Sequence, residues 1–157
     1  RSRGLGDVYK RQVDQIVPSS NIEDFLPYFN DIKIFLVDRD PRDLYLSEKY
    51  VWREGVVPAS PEEFVEWYKY CRKDQKRYIE NENVCFLRFE DMIYDYENTK
   101  RKIVRFAGID EERHINPLSK FNPEISKKNT KLYLKYPQEK ENVKIIEERL
   151  SEYLYNS

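Results

Sequence analysis

The sequence predicts an α/β fold with a parallel sheet, because two apolar segments are each followed by a helix. Residues 32–37, IKIFLV, and residues 84–89, VCFLRF, are almost continuous apolar runs, which are typical of parallel strands covered on both faces. Strands that alternate with helices form layered folds in which the helices cover a parallel sheet. Residues 13–17, VDQIV, are predicted to be the end of a further strand.

The composition predicts one domain. The chain has 157 residues, of which 39% are hydrophobic, 36% charged and 15% aromatic, with a net charge of −1. No segment approaches the roughly 20 apolar residues of a membrane span, and no apolar leader is present, so the expected location is cytoplasmic. The chain has two cysteines, Cys71 and Cys85, and one histidine, His114. Their spacing is not that of a disulfide framework or of a set of zinc ligands, so no metal site is expected.

The first twelve residues, RSRGLGDVYKRQ, differ from the rest in composition. They carry four basic residues, two of the four glycines and no apolar periodicity. Residues 7–12, DVYKRQ, also resemble an in-frame translation of the transposon end used in sequencing-library preparation. We therefore expect residues 1–12 to be a sequencing-adapter artefact that is not part of the native fold. The alternative is a flexible basic arm. Residues 13–157 are then expected to be the C-terminal part of one domain.

Capping residues predict where the helices begin. Asp40 precedes Pro41, a pair typical of an N-cap and a first helical position, so a helix is expected from there to residue 51 or 52. Ser60 and Glu63 form a capping box around Pro61. Similar patterns predict helices after Asn21, between Asp95 and Gly108, and over residues 139–155, whereas residues 110–137 are polar and show no clear periodicity. A structureless run of that length is usually functional.

Arg39 and Ser47 are the candidate binding residues. Ligands of open α/β sheets bind outside the carboxyl ends of the strands, and Arg39 lies there, with Ser47 about two turns into the helix that follows. A guanidinium and a hydroxyl that converge can hold a phosphate. The alternative is that Arg39 and Arg42 pair with neighbouring aspartates on the surface while Ser47 is solvated. Spacing alone leaves both interpretations open.

Residues 33–47, KIFLVDRDPRDLYLS, resemble the 3′-phosphate-binding segment of sulfotransferases that use 3′-phosphoadenosine 5′-phosphosulfate (PAPS). In that segment an apolar strand runs into Arg-x-Pro-Lys/Arg-Asp, and a serine follows eight positions after the first arginine. Residues 84–91, VCFLRFED, are similar to the family's later strand that ends in an aromatic residue, Glu and Asp. Residues 126–130, SKKNT, resemble the basic loop that closes over the nucleotide. The resemblance covers nearly all of residues 13–155.

This resemblance implies a P-loop-NTPase-like parallel sheet with flanking helices, and a nucleotide site. Arg39 and Ser47 would hold the 3′-phosphate of PAPS, the cosubstrate, and Phe89 would lie beside the adenine. Lys127, Lys128 and Asn129 would add cationic and amide donors to the same phosphate, although the family's loop is usually Arg-Lys-Gly.

The family's other half-site, a Pro-Lys-Ser-Gly-Thr-Thr type loop after the first strand, does not occur in this sequence. The strand that carries this loop, and the catalytic base, are expected upstream of Val13, so the catalytic residues stay unknown. Glu90 and Asp91 are expected to point to opposite faces of the strand, so a catalytic pair is not expected and one of them is interpreted as structural. His114 is interpreted as a solvated loop residue. Trp52, Trp67 and Tyr68 are expected to be core aromatics.

The resulting hypothesis is a fragment of a bacterial-type sulfotransferase whose parent transfers a sulfonate group from PAPS to a hydroxyl or amine, possibly on a glycan. The fragment alone is expected to be inactive. A non-catalytic nucleotide-binding module and a nucleotide kinase-like P-loop protein are the alternatives. Basic residues are scattered along the sequence among acids, so no nucleic-acid partner is expected.

Overall fold

A computed structural model describes residues 18–29, 32–110, 112 and 118–156. Within these residues two strands, β1 (Ile34–Asp38) and β2 (Val84–Arg88), pair in parallel, with Ile34 opposite Val84 and Asp38 opposite Arg88. The predicted parallel pairing of the two apolar segments is therefore present. The predicted strand at residues 13–17, the twelve preceding residues and His114 lie outside the described residues.

The helix after β1 begins where the capping residues predict. Helix α2 (Pro41–Ser47) follows α1 (Ile22–Phe25) in chain order and continues as one wider turn over Glu48–Trp52. The Asp40 side chain caps α2 by accepting a hydrogen bond from the Arg42 amide at 2.9 Å. Arg53, with φ of 59°, ends the helix in the left-handed region. By contrast, Asn21 makes no side-chain cap to α1, because residues 19–21 already form a short 3₁₀ turn that leads into it.

The other capped helices also begin close to their predicted positions. In α3 (Pro61–Cys71) the Ser60 hydroxyl accepts a hydrogen bond from the Glu63 amide at 3.3 Å. After β2 the chain forms α4 (Phe89–Tyr94) and α5 (Tyr96–Ala107), and Gly108 ends α5 with φ of 62°. The left-handed backbone explains why the stop residue is glycine.

Phe89 was expected to be a strand residue, and this expectation is wrong. The strand ends at Arg88, and Phe89 is the first residue of α4. Glu90 and Asp91 are therefore in the first turn of a helix instead of on opposite faces of a strand. Acidic side chains are favoured there because the helix dipole is positive at its N-terminus.

The polar stretch of residues 110–137 is more ordered than its composition predicts. Its described part contains α6 (Pro123–Ser126), capped by Asn122, and 3₁₀ turns at Lys127–Asn129 and Leu132–Leu134. Such single turns carry too few residues to show an apolar period. The closing helix, α7 (Lys140–Arg149), is shorter than predicted, and a 3₁₀ turn over residues 151–153 follows it.

The main core lies between α2, α3 and α7. Phe64, Val65 and Tyr68 from α3 pack with Tyr45 and Leu46 from α2, and the same cluster includes Leu132, Val143, Ile146 and Leu150. A smaller cluster of Ile22, Tyr78 and Val84 lies beside the sheet. Val37 on β1 is 50% exposed, so β1 is not covered on both faces by the described residues as the apolar pattern predicted. No helix in the described ranges is long and apolar enough to cross a membrane.

Candidate functional site

Arg39 lies at the carboxyl end of β1 and is buried, with only 8% of its surface exposed. Its Nη2 donates a hydrogen bond of 2.5 Å to the backbone carbonyl of Asn129, ninety residues away in sequence. Its own carbonyl accepts a hydrogen bond from the Tyr68 hydroxyl at 2.9 Å, which fixes the backbone from the core side. No carboxylate accepts a hydrogen bond from Arg39 among the described residues, so the surface pairing considered from the sequence does not occur for this arginine.

Arg42, in contrast, forms the structural ion pair that the alternative interpretation expected. Its guanidinium donates to both carboxylate oxygens of Asp40, at 2.9 and 2.7 Å, and to Glu147 at 2.8 Å. Burial lowers the pKa of Arg42, but the hydrogen bonds to Asp40 and Glu147 outweigh burial and leave that pKa above its ordinary value. The pair is buried instead of solvated, and Asp40 also accepts the Tyr155 amide at 3.1 Å.

Asp43 connects α2 to the segment after α6. Its two carboxylate oxygens accept hydrogen bonds from the amides of Lys131 and Leu132, both at 2.7 Å. Burial raises the pKa of Asp43, and the two amides oppose that increase. Ser47 lies four residues later, so it shares a helix face with Asp43. The carboxylate therefore holds residues 127–132 near the helix face that carries Ser47.

Ser47 and Arg39 each have a buried polar atom without a hydrogen-bond partner among the described residues. These atoms are the hydroxyl oxygen of Ser47, a residue with 1% of its surface exposed, and Nε of Arg39. Buried polar atoms are nearly always satisfied in folded proteins, and the described residues leave these two, like those of Arg72, Tyr78, Arg88 and Glu90, without a hydrogen-bond partner. Burial lowers the pKa of Arg39, partly opposed by the nearby carboxylates of Asp43, Glu90 and Asp40. A bound anion would offset the cost of burying the charged guanidinium.

The segment that carries Lys127, Lys128 and Asn129 is a 3₁₀ turn next to Arg39. Both lysines are exposed, and Asn129 is half-buried. The contact with Arg39 is made by the backbone carbonyl of Asn129, whereas the sequence led us to expect a contribution from its side-chain amide. Thr130 fixes the end of the turn, because its hydroxyl donates to the Lys127 carbonyl at 2.9 Å and bonds the Tyr94 hydroxyl at 2.7 Å.

Two aromatic rings lie close to the Arg39 guanidinium. Its Cζ lies 4.8 Å from the centre of the Phe89 ring and 5.4 Å from that of Trp52, distances at which cation–π attraction operates. Trp52 is 49% exposed, so the expectation that it is a core aromatic is wrong. Its position at the end of the α2 helical segment places it at the site. Tyr68 is fully buried in the core as expected, and Trp67 packs against the core.

Glu90 and Asp91 have the structural roles that the sequence suggested. Glu90, 2% exposed, accepts the Asp40 amide at 2.8 Å, and Asp91 accepts the Tyr155 hydroxyl at 2.9 Å. Burial raises the pKa of Glu90. Burial and the bond to Asp91 raise the pKa of Tyr155 to about 12. These contacts attach the start of α4 and the C-terminal residues to the carboxyl end of β1.

The structure thus brings Arg39, Phe89 and Asn129 into contact, and Asp43 links the helix that carries Ser47 to residues 131 and 132, just after the turn with the two lysines. Sequence reasoning missed Trp52, Asp43 and Tyr155 as parts of this arrangement. Asp43 carried a usable signal, since it is the last residue of the Arg-x-Pro-Lys/Arg-Asp pattern. The described residues contain no group of three or more side chains that could hold a metal ion.

The described residues form an α/β arrangement in which a buried arginine follows a parallel strand and a buried serine lies in the next helix. A family model described as sulfotransferase domain matches residues 18–150. The chain therefore belongs to the sulfotransferase domain family, and as a member of that family it is a transferase domain for sulfonate groups. No curated protein matches the sequence significantly.

Asp43→Asn is expected to lower the free energy of unfolding by about 2 kcal/mol, because an amide offers one acceptor oxygen to two buried amide donors. Urea denaturation measures this change, and hydrogen exchange should speed up at residues 130–132. The matched control is Asp24→Asn on an exposed position of α1, which should change stability by less than about 0.5 kcal/mol. Equal effects of the two substitutions would contradict the anchoring role.

Glu90→Gln is expected to remove a pH dependence of stability. Because the folded protein holds the pKa of Glu90 above its ordinary 4.5, the wild type loses stability as pH rises above that value, when the buried carboxyl ionises. The glutamine variant keeps an acceptor for the Asp40 amide and does not ionise. Urea denaturation at several pH values between 4.5 and 7 should therefore show that the free energy of unfolding of the variant increases relative to that of the wild type as pH rises. If the difference in the free energy of unfolding between the two proteins does not change with pH, burial does not raise the pKa of Glu90.

Proposed function

We propose that this chain carries the 3′-phosphate half of the donor site in a sulfotransferase that uses PAPS. The observation that supports this proposal most strongly is that Arg39 and Ser47 are both buried with polar atoms that lack partners among the described residues, within the segment that resembles the family's 3′-phosphate-binding motif. The donor supplies the sulfonate group that is transferred, and the residues of this chain bind and orient its nucleotide part.

Arg39 and Ser47 would contribute different interactions to phosphate binding. The guanidinium fork donates to two oxygens at once, and the hydroxyl adds a third hydrogen bond. The 127–129 turn would supply Lys127 and Lys128, whose exposed ammonium groups can reach an anion beside Arg39. Asn129 would act through its backbone carbonyl, which orients the guanidinium before any ligand arrives.

Phe89 and Trp52 would contact the adenine. A phenyl ring offers the base an apolar surface without a hydrogen bond, and Trp52 is exposed enough to stack on an arriving base. Both ring centres lie within 5.4 Å of Cζ of Arg39, so a base that contacts these rings would lie near the proposed 3′-phosphate contacts.

Sulfonate transfer requires positioning and charge stabilisation more than covalent participation by the protein. The acceptor hydroxyl or amine attacks sulfur, its proton passes to a general base, and the 3′,5′-bisphosphate leaves. Arg39 and Ser47 would fix the leaving nucleotide so that the attack is in line. The sequence contains no Gly-Thr-Thr type loop for the 5′-phosphosulfate. We therefore propose that residues 13–157 form the C-terminal part of a P-loop-like domain, which binds nucleotide but does not transfer sulfonate alone.

The acceptor in this proposal is a hydroxyl or amine, with a glycan as the class we favour. The reaction as proposed requires no metal. The parent protein is proposed to act in the cytoplasm. A non-catalytic nucleotide-binding module would use the same phosphate contacts without the transfer step.

The direct test is calorimetric binding of 3′,5′-adenosine bisphosphate against 5′-AMP. The chain should bind the bisphosphate about tenfold or more tightly, since the additional phosphate makes charge-assisted hydrogen bonds. Arg39→Ala should abolish this preference, and Arg39→Lys should restore only part of it, because an ammonium is a point charge without the fork.

The matched control is Arg149→Ala, which removes an arginine that pairs with Glu66 on the surface. This variant should keep the full preference for the bisphosphate. Equal binding of the two nucleotides, or a preference that Arg39→Ala leaves unchanged, would contradict the site. Thermal unfolding of each variant verifies that a loss of binding is not a loss of fold.

A further inference from the structure

Helix α4 makes contacts at both of its ends with groups around Arg39. At its first residue, the centre of the Phe89 ring lies 4.8 Å from Cζ of Arg39. At its last residue, the Tyr94 hydroxyl lies 2.7 Å from Oγ1 of Thr130, directly after the turn of residues 127–129. A helix of this length covers about 8 Å along its axis. It therefore links the strand end that carries Arg39 to the turn that contacts Arg39.

The direction of the hydrogen bond between Tyr94 and Thr130 follows from the protons available. Oγ1 of Thr130 donates a hydrogen bond of 2.9 Å to the carbonyl of Lys127. A threonine hydroxyl has one proton to donate and two lone pairs that can accept. Because the Thr130 proton is used at Lys127, the Tyr94 hydroxyl is the donor to Thr130. Two linked hydrogen bonds thus connect the end of α4 to the first carbonyl of the turn.

The hydroxyl of Thr130 depends on Tyr94 for its donor. Thr130 is buried, and Tyr94 and Lys127 are the hydrogen-bond partners of its hydroxyl among the described residues. A buried acceptor that loses its donor is costly. Without the Tyr94 hydroxyl, this cost would favour conformations in which the turn moves and water reaches Thr130.

Movement of the turn would change the surroundings of Arg39. The turn has three residues, Lys127–Asn129, and the carbonyl of Asn129 accepts the hydrogen bond of 2.5 Å from Nη2 of Arg39. The same three residues carry the two exposed ammonium groups that lie nearest to this carbonyl in the sequence. Displacing the first carbonyl of so short a turn displaces the last one too. The Tyr94 hydroxyl therefore controls the orientation of a guanidinium that it does not touch.

The ring of Tyr94 is held by contacts that do not involve its hydroxyl. It is stacked on the ring of Tyr155, with ring centres 6.3 Å apart and planes inclined by 17°. The ammonium of Lys131 lies 5.7 Å from the centre of the Tyr94 ring. Tyr155 is itself fixed through the hydrogen bonds to Asp40 and Asp91. A phenylalanine at position 94 would keep these ring contacts and lose only the bond to Thr130.

We propose that Tyr94 is a positioning residue for the 3′-phosphate of the donor, and that it acts through Thr130 on the turn beside Arg39. This inference rests on the proposed function for the identity of the ligand. Tyr94 affects the contacts made to the 3′-phosphate and not those made to the rest of the nucleotide. Its hydroxyl keeps the turn in the conformation that binds, so that little ordering is left for the ligand to bring about.

The test is calorimetric binding of two nucleotides to the whole chain with Tyr94→Phe. The affinity for 3′,5′-adenosine bisphosphate should fall by about threefold or more, because the turn spends less time in the conformation that binds. The affinity for 5′-AMP, which lacks the 3′-phosphate, should change by less than about twofold. Hydrogen exchange at the amides of residues 128–130, measured without nucleotide, should be faster than in the wild type.

Variants of Thr130 test whether Tyr94 acts through this residue. Thr130→Ser keeps the hydroxyl and should retain most of the preference for the bisphosphate, whereas Thr130→Val should lose as much of it as Tyr94→Phe or more. Adding Tyr94→Phe to Thr130→Val should then weaken binding by less than about 1.5-fold further, because both changes remove the same hydrogen bond. Multiplied effects of the two substitutions would contradict the proposal.

The matched control is Tyr70→Phe, which removes the same hydroxyl from an exposed tyrosine of α3 and should change neither affinity by more than about 1.5-fold. If the wild type prefers the bisphosphate and Tyr94→Phe keeps that preference, the positioning role is wrong and the donor site stands. Equal weakening of both nucleotides by Tyr94→Phe would also overturn it, since that result indicates a general effect on the fold. A wild type without preference would contradict the donor site itself, and the positioning role with it.

Discussion

The buried carboxylate of Asp40 joins three parts of the chain that are distant in sequence. It caps α2 through the Arg42 amide, binds the Arg42 guanidinium with both oxygens, and accepts the Tyr155 amide from the C-terminal residues. Its own amide donates to Glu90 at the start of α4. Burying a charge is costly unless its hydrogen bonds are satisfied, and here Asp40 and Arg42 are each bound by more than one group. This network fixes the geometry at the carboxyl end of β1, where Arg39 follows the strand.

That fixed geometry explains why Arg39 can be buried without a carboxylate partner of its own. Its neighbours hold the strand end, the Tyr68 hydroxyl holds its carbonyl, and the Asn129 carbonyl accepts one of its five donors. The remaining donors and the Ser47 hydroxyl are the groups that the proposed phosphate would contact. Preorganised donors lose little entropy on binding, and they interact strongly with an anion in a partly buried site. The site therefore uses a structural ion pair, Arg42 with Asp40, to support a neighbouring arginine with a different role.

The sequence predicted the parts of this arrangement that depend on local chemistry. The Asp40–Pro41 cap, the Ser60 cap, the Gly108 stop and the parallel pairing of the two apolar segments follow from neighbouring residues and are present in the structure. Long-range contacts could not be read from local patterns. The hydrogen bonds of Asp43 to residues 131 and 132 and the exposure of Trp52 beside Arg39 depend on how distant segments pack. Phe89 is predicted in a strand but lies in a helix, because an apolar run of residues does not show where the strand ends.

The central claim is that Arg39, the α2 helix and the 127–132 turn form one preorganised phosphate site. Two-dimensional NMR of the isotope-labelled chain, titrated with 3′,5′-adenosine bisphosphate, tests this claim most directly. We expect the largest shifts at the amides of residues 39–48 and 127–132 and at the side-chain Nε–H of Arg39, and little change at residues 98–106. Shifts concentrated at residues 98–106, or no shifts at a saturating nucleotide concentration, would contradict the account.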